Sequence, residues 1–165
     1  MPVKYKDPGC PTISFIIGNF CIDRALLDLG ASVNLLPHSV YEQLGIGNLN
    51  PTKIILQLAD RSVRTPRGVV EDVLIQVDKF HFLVDFIVLD TQPITHASTP
   101  IPVILGKPFL ATSNALINCK SGIMKLVSLK DSIPIICVTT QICNMIRSRT
   151  DMLIPSLCLI LTRTN

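Results

Sequence analysis

One acidic residue most constrains what this chain can become. Asp28 opens the stretch Asp28-Leu29-Gly30-Ala31-Ser32, with the apolar run Ala25-Leu26-Leu27 before it and a second largely apolar run, residues 33–36, after it. A carboxylate on a tight glycine turn at the edge of apolar surface costs free energy unless the fold satisfies it or uses it. The Asp-x-Gly pattern alone is weak, because with Gly near 7% of residues about one match arises by chance in a chain of this length. Asp7-Pro8-Gly9 is such a match, and it has no apolar frame.

The sequence around this turn has the rhythm of an all-β chain. Short β-branched and aliphatic runs are broken by Gly, Pro, Asn and Asp. Residues 12–17 and 21–27 read as a hairpin about Gly18-Asn19, and the return strand delivers the chain to Asp28. A further short strand covers residues 31–36. Pro37-His38-Ser39 opens a short helix that ends at Leu44 before Gly45. Strands follow at 54–58, 69–77 and 82–89, with a polar hairpin tip at Ala59-Asp60-Arg61-Ser62. A long loop rich in Thr and Pro covers residues 90–102. Val103, Ile104, Leu105 and Gly106 form a short buried strand, Lys107-Pro108 starts a second helix, and residues 115–118 and 123–127 make a last hairpin. From residue 128 the alternation decays. The expected division is an N-terminal extension at 1–11, one domain at 12–127 and an irregular tail at 128–165. With 48% apolar and 16% charged residues, a chain of 165 residues has the material for one aliphatic core.

Two elements about 75 residues apart, the Asp28 turn and the Val103-Ile104-Leu105-Gly106 segment entering a helix, together carry more information than either alone. In this pairing the sequence resembles the retropepsins, and in particular the proteases of gypsy-type LTR retrotransposons of plants, over residues 12–127. The resemblance implies a closed or partly open β-barrel of the retroviral aspartic protease type, single-lobed, with one or two short helices. It implies that Asp28 is the catalytic aspartate and that Leu29, Gly30, Ala31 and Ser32 complete the active-site loop. Asp60, Arg61, Ser62 and Val63 fall where the family carries the flap that closes over substrate. Val103, Ile104, Leu105 and Gly106 fall where a segment packs across the catalytic loop. Leu29 departs from the usual Thr or Ser, whose hydroxyl bonds across to the partner's loop; Leu can neither donate nor accept. Pro108 departs from the Asp or Asn often found there.

Peptide hydrolysis of this kind uses two adjacent carboxylates that share a proton, because like charges ~3 Å apart do not both ionise. The chain offers one framed aspartate. The economical completion is a symmetric homodimer with Asp28 from each copy on the twofold axis and a polypeptide substrate, the element's own polyprotein, lying extended between that floor and the flaps. The function expected is therefore that of an aspartic endopeptidase without metal or cofactor. Two alternatives remain open: a retropepsin fold kept as a non-catalytic dimerisation or peptide-binding module, or a degenerate transposon fragment. Leu29 favours the first of these and the retained Asp28 and Gly30 favour the enzyme.

Other readings follow from what is scattered. The formal charge of +3 is spread along the chain with no basic stripe, which argues against nucleic acid as a partner. Residues 152–161 are about half the length of a membrane span and contain Pro155, so no membrane association is expected. Cys10, Cys21, Cys119, Cys137, Cys143 and Cys158 include no Cys-x-x-Cys pair and read as reduced, mostly buried thiols of a cytoplasmic protein. His38, His81 and His96 share no metal-ligand spacing and read as surface or packing residues. Asp72 and Asp85 read as solvent-facing positions of strands, and Ser32 and Asn34 as partners for backbone groups near the turn.

Overall fold

Alternation in the first strand decides which way the sheet faces. β1 (Thr12–Ile17) buries Ile13, Phe15 and Ile17 and turns Ser14 and Ile16 outward, the period-2 pattern of a strand with one face on a core. The structure is a computed structural model that describes residues 11–90, 103–118, 123–128, 135–136, 140–141 and 160–163. Gly18, at φ +56°, turns β1 into β2 (Phe20–Leu27). There follow β3 (Asn34–Pro37), α1 (His38–Leu44), β4 (Ile54–Gln57), β5 (Val63–Arg64), β6 (Gly68–Val77) and β7 (Phe80–Leu89). After these come β8 (Ile104–Leu105), α2 (Lys107–Thr112), β9 (Leu116–Asn118) and β10 (Ile123–Lys125). The short strands β11 (Val127–Ser128), β12 (Ile135–Ile136), β13 (Thr140–Gln141) and β14 (Ile160–Arg163) complete the described chain.

Six strands close a barrel in the order β1-β2-β8-β3-β7-β6. β6 and β7 form the long antiparallel hairpin, and β6 returns to β1 through Ile16↔Gln76 and Ile17↔Ile75. β8 is wedged between two strands that follow each other in sequence. It runs parallel to β2, with Leu26↔Ile104 and Leu27↔Leu105, and antiparallel to β3 through Leu35↔Ile104. β3 in turn runs parallel to β7. A barrel of mostly β structure with two short helices is the architecture expected from the sequence.

α1 ends as its sequence dictates: Gly45 takes the left-handed conformation at φ +57° and its N–H caps the Tyr41 carbonyl at 3.1 Å. Asp72 and Asp85 are exposed, as expected, but Asp72 is not in regular alternation. The β6–β7 register shifts between Val70 and Val73, Asp72 sits at φ +56°, and its N–H donates to Asp85 Oδ1 at 2.9 Å. The pair builds a bulge. His81 is exposed, and His38 lies 3.7 Å from Glu42 and 3.8 Å from Asp90. Cys21 is an exception to the mostly buried thiols expected, because it falls on the outward side of β2 opposite Ile16. The other five cysteines and His96 lie outside the described residues, as does most of the 90–102 loop.

The barrel interior holds Phe15, Leu36, Ile75, Phe86, Leu105, Phe109 and Met124, all fully buried, with Phe82 and Phe109 edge to face at 5.8 Å. Each such side chain contributes about 2 kcal/mol by burial. A second, smaller cluster gathers Leu26, Ala31, Val33, Leu35, Ile87, Leu89 and Ile104 with Leu56 of β4. The region expected to be an irregular tail contributes short strands, of which β14 pairs antiparallel with β4. A three-stranded sheet β14-β4-β5 results. Among the described residues no helix is long and apolar enough to cross a membrane.

Candidate active site

β2 ends by running its apolar side chains into the barrel at Ala25 and Leu27, and the chain then has to reverse at the barrel edge. Gly30 permits the reversal. Its N–H donates to Asp28 Oδ1 at 2.7 Å, and the Ala31 N–H donates to the Asp28 carbonyl at 3.2 Å. The carboxylate is thus fixed by its own turn, half-buried, with a charge-assisted hydrogen bond to one oxygen.

The turn is also pinned from behind. Leu26 N–H donates to the Val103 carbonyl (2.8 Å) and Asp28 N–H to the Leu105 carbonyl (3.0 Å) on one flank, while Lys107 N–H donates to the Ala31 carbonyl (2.9 Å) on the other. Gly106 passes so close that a side-chain carbon there would sit 2.3 Å from the Val33 carbonyl oxygen and 2.7 Å from that of Ala31. Glycine is required at this crossing by space, its φ of −95° being open to any residue. Val103, Ile104, Leu105 and Gly106, singled out from the sequence, are therefore brought together with Asp28, Gly30 and Ala31.

Asn34 completes the crossing. Only 2% exposed, it accepts the Gly106 N–H at 2.9 Å through Oδ1 and donates through Nδ2 to the Asp85 carbonyl at 3.0 Å. Both halves of the amide are used, so one side chain ties β3 to β7 and to the segment entering α2. The expectation that Asn34 serves backbone groups near the turn is met by this geometry. Its specific double role was visible in the sequence only as a polar residue inside an apolar run. Ser32 is half-buried beside it.

Leu29 stands apart. It is 57% exposed at the tip of a turn whose neighbours Leu27 and Ala31 are buried. Asp60, Arg61, Ser62 and Val63 form the tip of the β4–β5 hairpin, closed by Leu58 N–H to the Ser62 carbonyl and Arg61 N–H to the Leu58 carbonyl, both at 2.9 Å. Ser62, its hydroxyl near Asp60 and its N–H donating to Asp60 Oδ1 at 2.9 Å, holds that carboxyl below the usual range. Leu56 of this hairpin, with Ile54 and Leu58 packed beside it, joins Leu26, Ala31 and Ile104 in the second cluster, so the hairpin base is seated against the floor that carries the Asp28 turn. Among the described residues no group of His, Cys, Asp or Glu is arranged to hold a metal ion.

The site is thus a turn bearing Asp28 at the edge of a six-stranded barrel, crossed from behind by a strand that ends at Gly106. The chain belongs to the aspartyl protease family, whose model matches residues 18–109, more than half of the sequence. Among solved structures, the retroviral protease-like domain of Ddi1 from Leishmania major is similar in fold, with a TM-score of 0.52 and 14% identity over 72% of this chain and 87% of that one. EIAV protease complexed with the inhibitor HBY-793 has 22% identity and a TM-score of 0.47, over 70% of this chain and 99% of that one. No curated protein matches the chain in sequence.

Proposed function

We propose that this chain is an aspartic endopeptidase that works as a symmetric homodimer on polypeptide substrates. The observation that carries the reading is the Asp28 turn: a half-buried carboxylate, engaged through one oxygen by Gly30 N–H and locked from behind by residues 103–107. Such bracing is what a reacting group needs if it is to meet a symmetry-related copy in a fixed geometry. Two Asp28 carboxylates on a twofold axis share one proton; the ionised member takes a proton from the attacking water while the protonated member supports the developing oxyanion. Leu29, Gly30, Ala31 and Ser32 form the rest of each active-site loop, and the hairpin tips at Asp60, Arg61, Ser62 and Val63 close over an extended substrate strand. A retrotransposon polyprotein in the cytoplasm is the substrate setting on this reading.

The exposed Leu29 supports a second reading, a peptide-binding or dimerisation module on the same fold without hydrolysis. Cleavage of an unstructured protein by the purified chain over pH 4–7, beside Asp28→Asn and with sedimentation, separates the two. Cleavage by a dimer that disappears in Asp28→Asn upholds the enzyme. A folded dimer without cleavage upholds the module.

A further inference from the structure

β4 is a strand with both edges taken. On one side it holds β5 through Leu56↔Arg64 and Gln57↔Val63, and on the other it holds β14 through four successive pairs, from Ile160↔Gln57 to Arg163↔Ile54. β4 is also the part of the hairpin that is fixed to the floor, because Leu56 is fully buried in the cluster of Leu26, Ala31 and Ile104. β5 offers less: it is two residues long and both are exposed. The outer edge of β4 is therefore the longest backbone ladder that this hairpin presents, and the chain's own C-terminal strand lies along all of it.

Among the described residues β14 pairs with β4 alone and with no barrel strand. So short a pairing is marginal by itself in water, and what keeps it formed is connection. β13 pairs with β10 through Ile123↔Gln141 and Met124↔Thr140, and Met124 is set in the barrel core. Residues 142–159 lead from that anchored strand to β14. A tether makes docking intramolecular, with an effective concentration on the order of millimolar. Such a contact forms at every protein concentration and still gives way to a competitor.

We propose that β14 is a displaceable strap: it occupies in cis the β4 edge on which an extended polypeptide adds, and the hairpin takes a substrate strand only when β14 leaves. The inference rests on the reading that the hairpin closes over substrate. Strand addition uses main-chain hydrogen bonds, which any extended segment supplies, so strap and substrate compete for the same N–H and C=O groups of β4. A bare edge is also a template for unwanted pairing between copies. The strap covers it while no substrate is present.

The test compares the full wild-type chain with Leu161→Pro/Thr162→Pro, which removes the N–H at two successive positions of β14, so that one of them faces β4 whichever way the strand alternates. A fluorescein-labelled peptide of residues 159–165 is the binding probe, cleavage of an unstructured protein at pH 4–7 is the activity readout, and circular dichroism shows that the barrel is retained. The peptide binds the variant about tenfold tighter than wild type or better, and the variant cleaves faster by a similar factor. Hydrogen exchange of residues 54–57 is also faster in the variant. Leu161→Gly/Thr162→Gly, which keeps every N–H and only loosens the strand, moves in the same direction by less and serves if the proline variant does not fold. Equal peptide affinity in variant and wild type overturns the proposal, and so does Asp28-dependent cleavage that is unchanged or slower once the strap is loosened. If no form cleaves, the endopeptidase reading falls, and the peptide affinities alone decide for or against the strap.

Discussion

Asn34 offers the sharpest physical test of how the Asp28 turn is built. Replacing it by Leu, of similar size, leaves the Gly106 N–H and the Asp85 carbonyl without their partners in a site that is 2% exposed. A buried group stripped of its hydrogen bond costs about 1–3 kcal/mol, so the pair costs roughly 2–6 kcal/mol, reduced by about 1 kcal/mol from added apolar burial. Asn34→Asp makes the same test through pH. When protonated, the introduced carboxyl keeps an acceptor for Gly106 N–H and regains a donor for the Asp85 carbonyl; when ionised it faces that carbonyl with no donor and is buried. Its folded-state pKa is therefore raised above the unfolded carboxylate value of about 3.9. The neutral form's stability is fully present below that value and is lost as pH rises through the folded pKa. Urea denaturation at pH 4 and pH 7 reads this directly: Asn34→Asp lies close to wild type at the lower pH and falls well below it at the higher. A variant with the same deficit at both values, or an Asn34→Leu cost under about 1 kcal/mol, would refute the claim that this amide ties the crossing together.

Two glycines separate space from conformation. Gly106→Ala puts a carbon 2.3 Å from a backbone carbonyl that cannot yield, and about 3 kcal/mol or more of destabilisation is expected in thermal or urea melts. Gly45→Ala meets nothing within 4 Å and costs only the left-handed φ of +57°, about 1 kcal/mol. Cys21 reports local electrostatics: its thiol donates to Asp23 Oδ1 at 3.3 Å, and that carboxylate holds the thiol above its usual range. A raised thiol pKa means less thiolate at pH 8, so alkylation of the Cys21 peptide, followed by mass spectrometry, is slower in the folded chain than in urea. Asp23→Asn speeds it. Equal rates for Asp23→Asn and wild type in the folded state would contradict this assignment.

Local elements were legible in the sequence because their causes are local. The first hairpin is written in an alternation around Gly18-Asn19, α1 is bounded by Pro37 and Gly45, and the Asp28 turn is marked by its apolar frame. Pairings that depend on distant partners left no such mark. Nothing near Asn34 announces a parallel partner in β7, and nothing near Ile104 says that it lies between β2 and β3. The Asp72 bulge escaped the period-2 reading because a single left-handed residue looks like ordinary alternation until Asp85 is seen to accept its N–H. Cys21 shows the limit of residue type as a guide: thiols rank among the most buried side chains, yet its strand position, opposite Ile16, faces solvent. The C-terminal strand β14 follows no clean alternation and owes its place to an edge offered by β4 about a hundred residues earlier.

The insertion of β8 between β2 and β3 also sets an order of events in time. While the chain is being made, residues 12–37 emerge long before residues 103–107, so the turn at Asp28 first exists without the strand that braces it. Closing that gap spans about seventy residues of intervening chain, a non-local step that folds slowly compared with any hairpin. The Asp28 turn is accordingly braced only after most of the barrel has been synthesised, and a nascent or half-folded chain carries the residue but not the crossing that holds it.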